Sequence, residues 1–256
     1  MERVIKLDGV HNFRDYGLYQ GADGARIKGG LLWRSAQHGD ASPADLAAID
    51  ALGLKTVIDL RGPSERDAKP CRRSESFSAQ VFAYPEETAG LALHTEAADG
   101  VVTEAEARAA MLRLYEGIST RENLVPMLRC HFEVLKRAEG PSLVHCVAGK
   151  DRTGFAVALV QHALGVSRDD IVADYLLTNV AGNIEARIAA GAEQIRAHRG
   201  PISDATIRVL MGVEEEYIVA AFDAVDASHG GMDAYLADVI GIDPAAVQGL
   251  RRDYLD

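Results

Sequence analysis

The stretch from Pro141 to Leu164, PSLVHCVAGKDRTGFAVALVQHAL, restricts the fold more than any other part of the chain. Ser142-Leu143-Val144 reads as a short, buried strand. Phe155 to Leu164 is apolar enough for a buried helix. A buried strand that feeds through a short glycine-containing loop into a buried helix needs cover on both faces of its sheet. That requirement selects an α/β architecture.

The neighbouring segments agree. Gly30 to Arg34, Lys55 to Arg61 and Ala79 to Tyr84 read as strands, the last two closed by Gly62-Pro63 and Pro85. Ser42-Pro43 opens a helix with Leu46, Ile49 and Leu52 on its apolar face, and Gly53 ends it. Thr103 with Glu106 forms a capping box for a helix through about Tyr115, and a second helix runs from about Glu122 to Ala138. Beyond Ser167 the pattern is helix after helix, at about Ile184 to Ala197, Ala205 to Met211 and Val213 to Ala227. Asp243-Pro244 opens the last. The expectation is a small central, mostly parallel sheet flanked by helices, with a helix-rich C-terminal part, in one domain over residues 1–256.

Bulk properties narrow the function. The 256 residues carry a net charge of −11, which argues against non-specific nucleic-acid binding and a polybasic membrane anchor. The N-terminus lacks the apolar core of a secretory signal, and no apolar run is long enough to span a membrane. Cys71, Cys130 and Cys146 have no paired spacing, so neither a disulfide framework nor a zinc site is suggested. A reducing, cytoplasmic compartment is the default, with export by a route that needs no N-terminal signal left open. Oligomeric state is not legible.

The loop itself carries the chemistry. A tight turn into a helix N-terminus aims backbone N–H groups and the positive end of the helix dipole at one point, which suits a phosphate dianion. Ala148 and Gly149 are small enough for close backbone approach. Cys146 at the start of the loop lies in the same positive field, which favours its nucleophilic thiolate. Arg152 can grip two phosphate oxygens with its planar fork. Thr153 can donate a hydrogen bond to the sulfur, His145 orients the loop, and Lys150 adds charge at the rim. A buried cysteine beside an unrelated arginine is the bland alternative. A metal site from His145 and Cys146 is disfavoured, because adjacent residues rarely reach one ion.

These residues resemble the cysteine-dependent protein tyrosine phosphatases. The HCxxGKDRTG loop is similar to that of a bacterial group classed as tyrosine phosphatases, some of whose members also act on phosphoinositides. Asn12-Phe13-Arg14-Asp15, Leu32-Trp33-Arg34-Ser35, Asp59-Leu60-Arg61 with Glu65, and Val172-Ala173-Asp174-Tyr175-Leu176 match further blocks of that group in order. The resemblance implies Cys146 as nucleophile and Arg152 as phosphate clamp. Val147, Ala148, Gly149, Lys150, Thr153 and Gly154 would complete the substrate cradle. It implies a phosphocysteine intermediate, no metal or organic cofactor, and a phosphotyrosine protein or a phosphoinositide as substrate. Lys150 is the residue that hints at lipid or dual activity.

The proton donor is less determined. Asp151 lies in the loop and is favoured. Glu86 comes next, where the similar group carries an aspartate; Asp59 and then Asp15 follow. Arg14, Arg34 and Arg61 are read as ion-pair partners of Asp15, Asp59 or Glu65. The segment from Glu86 to Val102 is either a lid or an ordinary solvated loop, and Cys130 is read as core. Two other function classes stay open: a phosphate-binding module without turnover, and sulfur or arsenate chemistry on a similar cysteine loop.

Overall fold

The computed structural model describes residues 3–88, 103–199 and 201–256. Its sheet has five strands: β1 (Arg14–Asp15), β2 (Leu32–Ser35), β3 (Thr56–Asp59), β4 (Gln80–Ala83) and β5 (Ser142–His145). Their order is β1-β2-β5-β3-β4. The β1–β2 pair is antiparallel and every other pair is parallel. The chain builds β2 on one side of β5 and β3 on the other, so β5 stands at the point where the strand order reverses. In open α/β sheets the crevice beyond the strand ends at that point is where ligands bind.

Register decides what meets there. Ser35, His145 and Asp59 are Cα partners at the carboxyl ends of β2, β5 and β3. The pleat sorts the rest. Trp33, Val57 and Leu143 face one core layer with Val10, Phe13 and Ile49. Leu32, Ile58 and Val144 face the larger layer, with Leu128, Phe132 and Phe155.

The flanking helices are α1 (Pro43–Asp50), α2 (Pro63–Ala68), α3 (Glu104–Glu116), α4 (Val125–Lys136), α5 (Asp151–Ala163) and α6 (Arg168–Leu176). The caps expected at Ser42, Thr103 and Ser167 all form, each side chain accepting the backbone N–H three residues on. Helix α5 is buried along almost its whole length, as its sequence requires. The C-terminal part adds α7 (Thr178–Ala181), α8 (Ile184–Arg199), α9 (Asp204–Met211), α10 (Glu215–His229), α11 (Met232–Tyr235), a π-helical turn (Leu236–Ile240) and α12 (Pro244–Tyr254). Its Ile207, Tyr217, Phe222 and Leu250 share one buried cluster with Val144 and Phe155. No described helix is long and apolar enough to cross a membrane.

One element departs from the sequence reading. Gly62-Pro63 was expected to close a strand, but Pro63 is the first residue of α2, and the Glu65 carboxylate accepts the Gly62 N–H at 3.0 Å. Helix α2 buries no residue, so no apolar period announces it. The segment from Glu86 to Val102, read as either a lid or a solvated loop, falls largely outside the described residues, which stop at Thr88 and resume at Thr103.

Candidate active site

The loop between β5 and α5 is held from outside by its carbonyls. Gly149 C=O accepts Asn12 Nδ2–H at 2.7 Å and Arg34 Nη2–H at 2.9 Å. Val147 C=O accepts the Gln37 N–H at 3.0 Å. Across a trans peptide the following N–H points the opposite way, so these anchors turn the Ala148 and Lys150 amides toward the other side of the loop. The first bond of α5 runs from Gly154 N–H to Lys150 C=O at 2.8 Å, which leaves the amides of Asp151, Arg152 and Thr153 without an intrahelical acceptor. Gly149 has φ +66°, and a Cβ there would stand 2.4 Å from the Ser35 carbonyl oxygen. Only glycine fits both the conformation and the space.

Behind the loop lies a buried ionic hub. Asp174, on α6, takes Arg34 Nη1–H at 2.8 Å and Arg14 Nε–H at 3.2 Å, while its backbone carbonyl takes Arg14 Nη2–H at 2.8 Å. All three side chains are fully buried. Burial works against the Asp174 charge, and Arg14 and Arg34 outweigh it, so the carboxyl titrates below its usual range. Burial, then the nearby Arg14, pulls Arg34 down to about 10 against the pull of Asp174. The sequence reading paired Arg14 and Arg34 with Asp15, Asp59 or Glu65; their partner is Asp174. Asp15 instead accepts the Gly17 and Gly30 amides at 2.8 and 2.5 Å, and burial raises its pKa. It braces a turn.

Cys146 and Arg152 are both buried, at 3% and 2% exposure. The Arg152 guanidinium is gripped bidentately by Glu65 of α2, Nη1 to Oε2 at 2.7 Å and Nη2 to Oε1 at 2.8 Å. Leu60 C=O and Thr88 Oγ1 each accept from Nη1 at 3.1 Å. Burial opposes the Arg152 charge, and the Glu65 bonds together with the negative form of Cys146 overcome it, so its pKa rises. Glu65 therefore pairs with Arg152, and the helix hidden from sequence reading is the one that fixes the clamp.

The acids separate clearly. Asp151 accepts Tyr115 Oη–H at 2.8 Å, and Tyr115 Oη accepts Tyr175 Oη–H at 2.6 Å. Both tyrosines are fully buried, and burial followed by the Asp151 charge pushes their pKa values well up. Asp59 holds Arg61 through Nε at 2.9 Å and Nη2 at 2.7 Å. Burial opposes its charge, but His145 and Arg61 pull the Asp59 carboxyl down to about 2. It carries no proton at neutral pH, which corrects its candidacy as a donor. Glu86 is exposed, two residues before the Thr88 that touches Arg152.

Lys150 is not at the rim. It is 2% exposed, and its ammonium donates to Leu210 C=O at 2.7 Å and stands 3.5 Å from Asp151 Oδ1. Burial lowers its pKa against the pull of Asp151. It ties the loop to the C-terminal helices. Thr153 Oγ1 is buried without a hydrogen-bond partner among the described residues, so its hydroxyl is uncommitted. His145 donates Nδ1–H to Cys146 C=O at 3.2 Å, as a loop-orienting residue should. Cys130 packs partly buried against the core, and burial raises its pKa.

The chain is similar to known proteins over most of its length. The family model described as the tyrosine phosphatase family matches residues 5–256. A Cupriavidus necator protein assigned by name to the tyrosine-protein phosphatases is 34% identical over 248 residues, covering 96% of this chain and 87% of its own. The triple specificity protein phosphatase PtpB of Mycobacterium tuberculosis is 33% identical over 281 residues, covering 97% and 98%. A tyrosine-protein phosphatase of Nostoc commune is 26% identical over 226 residues, covering 85% and 72%. With a cysteine loop of this build and a match over nearly its whole length, the chain belongs to the tyrosine phosphatase family and is a phosphatase.

Proposed function

We propose that the chain hydrolyses phosphate monoesters through a phosphocysteine intermediate on Cys146. Phosphotyrosine is the main substrate in this reading, and phosphoserine, phosphothreonine and phosphoinositides are further ones. The observation that carries it is the loop: carbonyls tied down outside, amides turned the other way, a cysteine at one end and an arginine gripped by Glu65 at the other. The breadth of substrates rests on the similarity to a phosphatase named for triple specificity.

In this reading Cys146 Sγ attacks phosphorus, the S–P bond forms and the ester P–O bond breaks. Asp151 gives the leaving oxygen its proton. Tyr115 occupies Asp151 Oδ1, so Oδ2 is the oxygen that carries that proton. Water then attacks phosphorus, Asp151 takes a proton back, and the thiolate leaves. In this reading the Thr153 hydroxyl, unpartnered among the described residues, eases its departure. The chain's acceptors take Nη1 and one edge of Nη2 of Arg152; its remaining N–H donors go to the transferring phosphoryl group. Fixed dipoles and a preset guanidinium meet charge where it develops, which is where most catalysis of this type arises. The whole of residues 1–256 acts as one phosphatase domain.

Phosphate release should be measured for the wild type and Cys146→Ser. The substrates are a phosphotyrosine peptide, phosphoserine and phosphothreonine peptides, and singly phosphorylated phosphoinositides. Release by the wild type alone supports the cysteine mechanism, and the ranking orders the substrates. Equal release by both proteins overturns it, and stabilisation by phosphate ligands without turnover would identify a binding module instead.

A further inference from the structure

Three side chains that sequence spacing does not connect meet behind the phosphate loop. Asp59 ends β3, His145 ends β5 as its registered partner, and Cys71 follows α2. One carboxylate oxygen of Asp59, the Cys71 Sγ and a His145 ring nitrogen all lie within 4.8 Å of one another. Asp59 and His145 are buried and Cys71 is half-buried, so the cluster has one open side.

The imidazole shows what the cluster lacks. Cys146 C=O can only accept, so Nδ1 of His145 carries the proton of their 3.2 Å bond. In the neutral imidazole a proton on Nδ1 leaves Nε2 with a free lone pair. That lone pair is buried, without a hydrogen-bond partner among the described residues, and 3.7 Å from Asp59 Oδ2. Arg61 bonds to Asp59 and Cys71 but not to this nitrogen, so the ring nitrogen is the donor of the cluster that an ion would satisfy. A histidine that donates one nitrogen to a backbone carbonyl and presents the other is also the usual arrangement of a metal-ligating imidazole.

We propose that Asp59 Oδ2, Cys71 Sγ and His145 Nε2 form a binding site for a zinc ion. The mixed oxygen, sulfur and nitrogen set suits zinc over hard ions such as magnesium. Zinc bonds of about 2.0–2.3 Å place tetrahedral ligands roughly 3.3–3.8 Å apart, so closure requires movements of about 1 Å. Cys71 loses its thiol proton to solvent as the S–Zn bond forms, and water takes the fourth position. In the empty cluster Arg61 is the balancing cation, with Nη2 2.7 Å from Asp59 Oδ2 and 3.1 Å from Cys71 Sγ. Arg61 keeps its Nε on Asp59 Oδ1 and its Nη1 on Gln37 and the Lys69 carbonyl when the ion enters. The site is independent of the phosphatase mechanism, since none of the three side chains is a reacting group.

The test uses the full chain carrying Cys146→Ser, so that zinc cannot bind the nucleophile. After chelation the protein is titrated with Zn2+ by calorimetry and with Co2+ by absorbance. One equivalent bound, release of one proton and a cobalt–thiolate charge-transfer band are expected. Adding Cys71→Ser should abolish the band and weaken zinc binding at least about tenfold, with unchanged circular dichroism. Zinc should raise the thermal midpoint of the first protein and leave that of the second in place. Absence of stoichiometric binding to the Cys146→Ser chain overturns the site. So does zinc binding that is unaltered by Cys71→Ser or by a second replacement, Cys71→Ala.

Discussion

At the scale of single residues, the four acidic candidates differ in what holds them, and Asp15 is taken by the Gly17 and Gly30 amides. Asp59 is committed to Arg61 and ionised down to about pH 2, Glu86 faces solvent, and Asp151 is oriented inside the loop by Tyr115. Proton donation contributes about 10²–10⁴-fold to rate. Asp151→Asn should therefore lower kcat by that order on an alkyl phosphate, whose leaving group needs the proton. On an aryl phosphate with an acidic phenol the loss should be much smaller, while Glu86→Gln should change either rate less than about threefold. Steady-state kinetics on the two ester classes checks this, and full activity of Asp151→Asn on alkyl phosphate would remove Asp151 as the donor. The local motif made Cys146, Asp151 and Arg152 legible because strand, loop and helix lie within one short stretch of chain. The motif does not carry the direction of Lys150. Its acceptor, Leu210 C=O, comes 60 residues later, from a helix whose position depends on the whole fold.

At the scale of elements, what could be read and what could not follows from which signals are local. Caps at Ser42, Thr103, Ser167 and Asp243 are satisfied within one turn, so residue type announces them and the helices start where expected. Helix α2 has the same local chemistry, Pro63 at its first position and Glu65 three residues after Gly62, but buries nothing and so lacks the apolar period that confirms a helix. Gly149→Ala sets a Cβ 2.4 Å from the Ser35 oxygen and 2.7 Å from the Ala36 nitrogen at φ +66°, so the loop must move away from β2. Phosphate or vanadate affinity should fall sharply, and urea unfolding should show a loss of about 1–3 kcal/mol. Tyr115 reaches from α3 to Asp151 with Tyr175 of α6 behind it, and it is predicted to position Asp151 as the proposed donor. Tyr115→Phe should lower kcat with KM unchanged and weaken the distinction between aryl and alkyl esters. A change confined to stability would deny it that role.

At the scale of the whole molecule, Asp174 joins parts that the chain keeps far apart. It binds Arg14, 160 residues earlier, and Arg34, 140 residues earlier, and Arg34 in turn holds the Gly149 carbonyl of the phosphate loop. The blocks around these residues are visible in sequence as separate motifs. Their pairing is not, because only the assembled β1, β2 and α6 bring the charges together, and nearer acids such as Asp15 are drawn off to turn amides. Removing one member of a buried pair leaves uncompensated charge and costs about 3–5 kcal/mol. Asp174→Asn should lose that much in urea unfolding at neutral pH. The pH dependence follows from the depressed carboxyl. Unfolded, Asp174 titrates near the model-peptide value of 3.8; folded, it titrates lower, so the folded state binds fewer protons. Its contribution is complete above the unfolded value and declines as pH falls through that value toward the folded one. The wild type minus Asp174→Asn stability difference should therefore stay constant from neutral pH down to about 5 and shrink below about 4. Other acids titrate in both proteins and cancel in that difference, so a gap that holds constant through the acid range would mean that Asp174 is not the charge on which the hub depends.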